Sequence, residues 1–194
     1  MTIDKAALRK EMLEAREALP LDERSHAAGA VAAHAEAVLR LMAGNPAPVV
    51  STYWGIGPEI DPVSLEAALV ARGASLCLPV MVGKVRPLVF RRYAHGDHLA
   101  ARTWDIHEPL ATAEAVQPDI LLVPLLAADV QGHRLGYGGG FFDRTLKELR
   151  AAKTIAAVGI CYDQQIVDEV PHLHYDEPVD WLLTPTGLTR CRAR

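Results

Sequence analysis

Between His133 and Arg144 the chain reads His-Arg-Leu-Gly-Tyr-Gly-Gly-Gly-Phe-Phe-Asp-Arg. Glycine fills four of the five positions 136–140, so the backbone there is free to take positive φ and to approach a ligand with no Cβ in the way. Amides exposed along such a bend can cradle an anion. Arg134 and Arg144 bracket the cluster with positive charge. Asp143 adds a carboxylate where bound phosphates would lie, and one or two such oxygens are the usual protein share of a magnesium site. The chemistry implied is phosphate and metal binding. Neither standard signature is present: Gly-x-x-x-x-Gly-Lys-Ser/Thr is absent, and Phe141 stands where Gly-x-Gly-x-x-Gly needs its last glycine. A tight turn is the competing explanation of the glycines, and a dipole-stabilised first-turn acid that of Asp143.

Other groups carry weaker signals. Lys5 and Arg9 are four apart, so on a helix both project from one face and can reach one polyphosphate, although Lys10 and Glu14 beside them equally suit a solvated face. Glu59 lies in Gly57-Pro58-Glu59-Ile60-Asp61, just after a β-like run, where open α/β sheets place ligand-binding groups. A carboxylate there can accept paired hydrogen bonds from an amine-bearing heterocycle, or be an ordinary loop acid. Among Tyr53, Trp54, Trp104, Tyr137, Phe141 and Phe142, whose commoner use is packing, Trp54, Tyr137 and Phe141 are the candidates for a ring-binding wall. The eight histidines have no ligand spacing, so no zinc site is expected.

The elements that must hold these groups alternate. Residues 4–18 and 21–43 read as a helical pair broken at Pro20, and 49–54 as a strand. Asp61-Pro62 then starts a helix over 63–71, which Gly73 ends. Strands are expected at 74–80, 88–93, 120–123 and 154–161, with 179–183 closing the sheet. The run Pro118 to Pro124 is apolar enough to be buried on both faces, and a helix over 141–150 follows the glycines. Strand, glycine-rich loop and helix in that order place helix N-terminal amides at the ligand. The expectation is one α/β domain over 1–194, three layers about a largely parallel central sheet.

Composition narrows the partners. A formal charge of −4 over 194 residues opposes broad binding to nucleic acid, and the local cations Arg86, Arg91, Arg92, Arg134 and Arg144 fit a small anionic ligand better. Cys77, Cys161 and Cys191 are odd in number and far apart, which suggests a reducing cytoplasm. No apolar run approaches the length that spans a bilayer, so no membrane partner is expected.

The pattern Arg-Leu-Gly-x-Gly-x-Gly-aromatic-aromatic-Asp-Arg after a buried strand, with Lys-x-x-Leu-Arg near the start, resembles the 5-formyltetrahydrofolate cyclo-ligase family, also called methenyltetrahydrofolate synthetase. Further matches are Pro58-Glu59-Ile60-Asp61, Thr103-Trp104-Asp105-Ile106-His107-Glu108-Pro109, Tyr162-Asp163-Gln164-Gln165, and Pro171 followed by Asp176 and Val179-Asp180. The resemblance implies a compact α/β fold and ATP- and Mg²⁺-dependent conversion of 5-formyltetrahydrofolate to 5,10-methenyltetrahydrofolate, with release of ADP and phosphate. By position, Lys5, Arg9, Arg134, Leu135, Gly136, Tyr137, Gly138, Gly139, Gly140, Phe141 and Phe142 would meet ATP. Glu59, Trp54 and the loop from Tyr137 to Phe141 would meet folate, Asp143 and Asp180 would serve Mg²⁺, and Arg134 and Arg144 would neutralise the transferred phosphate. Phe141-Phe142 stands where many members carry a tyrosine, which preserves stacking but not a hydroxyl role. A monomer is expected. Two other functions remain open: a family paralogue acting on another formyl or carboxylate compound, and a non-catalytic nucleotide- or RNA-binding regulator on the same scaffold.

Overall fold

The structure, a computed structural model, describes residues 4–102 and 106–192. In chain order its elements are α1 (Lys5–Glu17), α2 (Leu21–Ala32), α3 (Ala35–Arg40), β1 (Val49–Ser51), α4 (Val63–Val70), β2 (Ser75–Val80), β3 (Val89–Tyr93), β4 (Leu99–Ala101) and β5 (His107–Pro109). There follow β6 (Ala115–Val116), β7 (Ile120–Pro124), β8 (Ala127–Ala128), β9 (Arg134–Leu135), α5 (Phe141–Ala152), β10 (Ala156–Ile160), β11 (Trp181–Thr184) and β12 (Gly187–Arg190). The main sheet runs β12-β11-β10-β7-β1-β2-β3-β6. Its centre, from β11 to β2, is parallel, while β12 at one edge and β3 and β6 at the other are antiparallel.

Alternation along the central strands explains the layers. In β7, Ile120 and Leu122 join Ala28, Val31 and Val38 of α2 and α3 and Leu65 and Leu69 of α4 in one core. Leu121 and Val123 face the other way and pack with Leu146 and Leu149 of α5. Thus the helix after β1 covers one face and the helix after β7 the other, although β1 and β7 are neighbours. That is a topological switch point, where loops leaving the carboxyl ends of the strands part and leave a crevice. The three-layer α/β fold with a largely parallel sheet is as the sequence indicates.

Three details differ from expectation. The second helix of the N-terminal pair is two helices, because Ala33 and His34 donate to Ala30 and Val31 in tighter i→i+3 bonds and the redirected α3 buries Ala35 and Val38 completely. The strand after Val179 does not close the sheet, since the chain reverses and β12 pairs outside it. Between β7 and the glycines a hairpin of β8 and β9 intervenes, and Leu8 and Met12 seat α1 against its Ala127 and Leu135. Among the described residues no helix is long and apolar enough to cross a membrane.

Candidate active site

The glycine loop leaves β9 and ends as the start of α5. Gly138 (φ 97°) and Gly140 (φ 62°) take left-handed conformations, and Gly140 is the N-cap of α5. Arg9 lies over the loop: its Nε donates to the Gly136 carbonyl at 2.9 Å, and a Cβ on Gly138 would stand 3.5 Å from its Nη2. Arg144 holds the far side, donating from Nη2 to the carbonyls of Gly139 (2.9 Å) and Lys84 (3.2 Å), with its guanidinium 5.2 Å from the Phe141 ring centroid. The carbonyls of Gly136 and Gly139 are therefore taken by arginine. Among the described residues nothing accepts from the amides of Gly138, Gly139, Gly140, Phe141 and Phe142. Unpaired amides at a helix N-terminus are an anion site in waiting.

One face of α1 supplies the cations. Asp4 caps this helix through the Ala6 amide (3.1 Å), and Lys5, Arg9, Met12 and Arg16 follow at intervals that keep them on one side. Lys5 Nζ reaches Asp176 Oδ2 at 2.6 Å. Burial alone would push the Asp176 carboxyl up, but the hydrogen bonds from Lys5 and the Leu173 amide and the charges of Lys5 and Arg134 hold it below its ordinary value. Arg16 is 1% exposed, donates to the Tyr137 hydroxyl, and stands 3.8 Å from Glu59 Oε1. It joins α1 to the glycine loop through Tyr137 and to the turn after β1 through Glu59.

Glu59 sits in that turn. The Ile56 amide donates to its Oε2 at 2.8 Å, while Oε1 is buried without a hydrogen bond. Burial raises its pKa, and the Ile56 amide, the Arg16 charge and the Tyr137 hydroxyl oppose the rise. The Tyr137 hydroxyl is itself pushed up, first by burial and then by the Glu59 charge. Glu59 lines a cavity of ≈ 310 Å³ together with Tyr53, Trp54, Glu66, Leu78 and Tyr93. Trp54 forms its partly exposed rim, 4.5 Å between ring centroids from His107.

Asp143, in the first turn of α5, accepts from Arg134 Nη2 at 2.8 Å and from the Glu177 amide at 3.1 Å, both at Oδ1. Its Oδ2 lies on the Gly140 side, 3.9 Å from where a Cβ there would stand. Arg134 also donates to the Glu177 carbonyl. Burial pulls the Arg134 pKa down and the Asp143 charge opposes this, so the guanidinium depends on its anionic neighbour. Asp180 is held elsewhere: Arg150 donates to its Oδ1 at 2.9 Å and the Ala157 amide to its Oδ2 at 2.8 Å. Arg150 is two turns down α5 from Asp143, about 10 Å along the helix axis, so Asp180 is held by a different turn of α5 from the one that carries Asp143. The need to anchor the starts of β10 and β11 to α5 occupies Asp180. Among the described residues there is no group of three or more His, Cys, Asp or Glu side chains disposed around a metal.

Lys5, Arg9, Arg134, Asp143, Arg144 and the glycines thus converge on one loop, and Trp54 and Glu59 on the adjoining cavity. Leu135 is core, and Phe142 packs inward with the α5 layer rather than presenting a ring to ligand. Trp104 lies outside the described residues. Reasoning from sequence missed Arg16, Glu66, Tyr93 and Asp176. For Arg16 the available signal was its place three turns along the Lys5 face, and for Glu66 its standing as the sole charge in Val-Ser-Leu-Glu-Ala-Ala-Leu-Val.

A crevice at the switch point of a parallel sheet, with donors on one wall and acceptors on the other, defines an α/β small-molecule-binding domain. The chain belongs to the 5-formyltetrahydrofolate cyclo-ligase family, whose sequence pattern matches residues 1–185. It is 34% identical over 159 residues to the 5-formyltetrahydrofolate cyclo-ligase of Escherichia coli K12, covering 78% of this chain and 87% of the relative. With that of Haemophilus influenzae it is 32% identical over 177 residues, 89% and 92% of the two chains. Its fold is similar to the NMR structure of Aquifex aeolicus 5,10-methenyltetrahydrofolate synthetase, with TM-score 0.79, 28% identity, and 98% and 94% of the two chains covered.

Proposed function

We propose that this protein cyclises 5-formyltetrahydrofolate to 5,10-methenyltetrahydrofolate at the expense of ATP, by way of a phosphorylated formyl group. The observation that carries the reading is the contrast across one crevice: unpaired amides at the α5 N-terminus beside Arg9 and Arg134, and the buried Glu59 carboxylate, one oxygen of it without a hydrogen bond, lining the adjoining cavity. The first suits a triphosphate, the second a heterocycle rich in N–H donors.

The formamide oxygen of the substrate is a poor leaving group. Attack of that oxygen on the γ-phosphorus releases ADP and leaves an imidate phosphate. N10 then attacks the activated carbon, the C–O bond breaks, phosphate departs and the N10 proton is lost. No covalent nucleophile from the protein is required, because such transfer depends on alignment and on neutralising the equatorial oxygens. In this reading the loop amides, Arg9 and Lys5 hold the triphosphate, and Arg134 shifts part of its bonding from Asp143 toward the transferred phosphoryl group. Arg144 keeps the loop against the segment carrying Lys84 and Arg86. Arg16 keeps Tyr137 and Glu59 in register, so that folate and nucleotide meet in line.

Asp143 fits a magnesium ligand, since one oxygen is anchored while Oδ2 faces the loop, and the ion when bound would supply charge neutralisation on the phosphate oxygens. Asp180 would take part only after releasing Arg150. A cytoplasmic site of action is part of this proposal, supported by the three unpaired cysteines. The test follows methenyl product by absorbance and ADP release with and without 5-formyltetrahydrofolate. Folate-dependent ADP release matched by product is expected, whereas ADP release only with another formyl or carboxylate compound, or none at all, overturns the reading.

A further inference from the structure

Glu66 has no role in the reaction as derived above, yet it shares the cavity with Glu59. It lies in the first turn of α4, is 4% exposed, and is the sole charge of that helix. Thr52, just past β1, donates from its hydroxyl to Glu66 Oε1 at 2.7 Å. Oε2 is buried with no hydrogen bond, and His95 lowers the Glu66 pKa by its charge without forming a hydrogen bond to it. Glu59 is similar in part: one oxygen is anchored by the Ile56 amide, and the other has no hydrogen bond, though the Arg16 guanidinium stands 3.8 Å from it. A buried carboxylate with a free acceptor is destabilising unless something supplies the missing donor. Two of them on one cavity of ≈ 310 Å³, walled by Tyr53, Tyr93 and Trp54, demand a planar ligand with N–H groups on more than one edge.

We propose that Glu66 is a specificity-determining residue, its Oε2 accepting hydrogen bonds from the nitrogen donors of a reduced 2-amino-4-oxopteridine held between Glu66 and Glu59. The reduced pteridine carries such donors at N3, at the 2-amino group and at N8, so two carboxylates are each given a partner while the ring lies against the aromatic walls. This deepens the folate reading and rests on it. Both carboxylates, Tyr53 and Trp54 come from one βα connection, residues 52–66, with Tyr93 added by β3, and Arg16 and Tyr137 join the pteridine subsite to the phosphate loop.

The test is calorimetric titration of 5-formyltetrahydrofolate, without ATP, into the wild-type protein and the variants Glu66→Gln, Glu66→Leu and Glu59→Gln, with KM for ATP measured alongside. Glu66→Gln keeps the side-chain shape and an acceptor for Thr52, whereas Glu66→Leu removes the buried charge but leaves the buried Thr52 hydroxyl without its acceptor. Both are expected to weaken folate binding at least tenfold and leave the ATP KM within about twofold, and Glu66→Gln to melt no lower than wild type. Folate affinity within twofold of wild type in both Glu66 variants, with Glu59→Gln weakened, overturns the assignment and leaves the folate reading standing. Absence of folate binding by the wild-type protein overturns both.

Discussion

The two walls of the crevice are built on opposite plans. The phosphate wall is backbone and arginine: left-handed glycines, unpaired amides, and guanidiniums that already hold the loop carbonyls and Asp143. The pteridine wall is carboxylate and aromatic ring, with two acids buried and each half satisfied. The first offers donors to an anion and keeps its cations partly exposed; the second holds buried acceptors without hydrogen bonds beside a cavity. Each wall is incomplete in the sense that its own substrate would complete. The difference teaches that the fold tolerates local instability on both sides, but in two currencies, backbone geometry on one and desolvation on the other.

The largest effect should come from the residue that spans both walls. Arg16→Met leaves Glu59 buried without its cation, and losing one member of a buried pair costs about 3–5 kcal/mol; urea denaturation should show that loss, with folate affinity falling as well. Equal stability of the variant would mean that the walls are not joined there. Asp143→Asn should then lower kcat at least tenfold, about 1.4 kcal/mol or more in the barrier, and change the magnesium dependence, while folate binding without ATP stays intact. An unchanged magnesium titration would remove Asp143 from the metal role. Gly140→Ala places a Cβ at φ 62° and 2.9 Å from Arg144 Nη1, so a penalty of about 1–2 kcal/mol is expected. Kinetics at varied ATP and folate should show it chiefly in the ATP KM.

Subtler is the pH dependence of the pteridine wall. Burial raises the pKa of both Glu59 and Glu66 above the ordinary 4.5. The folded state then holds protons that the unfolded chain has lost, so stability declines as pH rises from 4.5 through the raised values. Melting temperatures across that range should fall less steeply for Glu66→Gln than for wild type, and parallel curves would place the titration elsewhere. Asp176 on the phosphate wall behaves oppositely: its lowered pKa gives stability present above its ordinary 3.8 and lost as pH falls through the folded value. Lys5→Met should flatten that acid-side slope, the Leu173 amide and Arg134 remaining, at a cost of less than about 1 kcal/mol at neutral pH.

Legibility in the sequence follows the same division. The phosphate wall is written in residues that mean little except geometry and charge, so clustered glycines, Arg134, Asp143 and the helix after them could be read directly. Most strands were legible too, because runs such as Ile120 to Val123 are buried on both faces. The pteridine wall is tertiary. Arg16 resembles any other charge on α1 until the Leu125 carbonyl, Tyr137 and Glu59 gather around it, and Glu66 acquires meaning only when α4 packs over β2. The break between α2 and α3 was hidden because alanines run through it without Gly or Pro. Asp180 is a motif position whose partners here, Arg150 and the Ala157 amide, are tertiary and not displayed by sequence.

The guanidinium of Arg16 donating to Tyr137 while facing Glu59 ties the two substrates into a single thermodynamic cycle. Whatever either ligand does to that link, the other must feel by an equal factor, because binding free energies around a closed cycle are reciprocal. Folate affinity measured with and without a non-hydrolysable nucleotide, and nucleotide affinity with and without folate, should therefore change by the same ratio, and Arg16→Met should bring both ratios toward one.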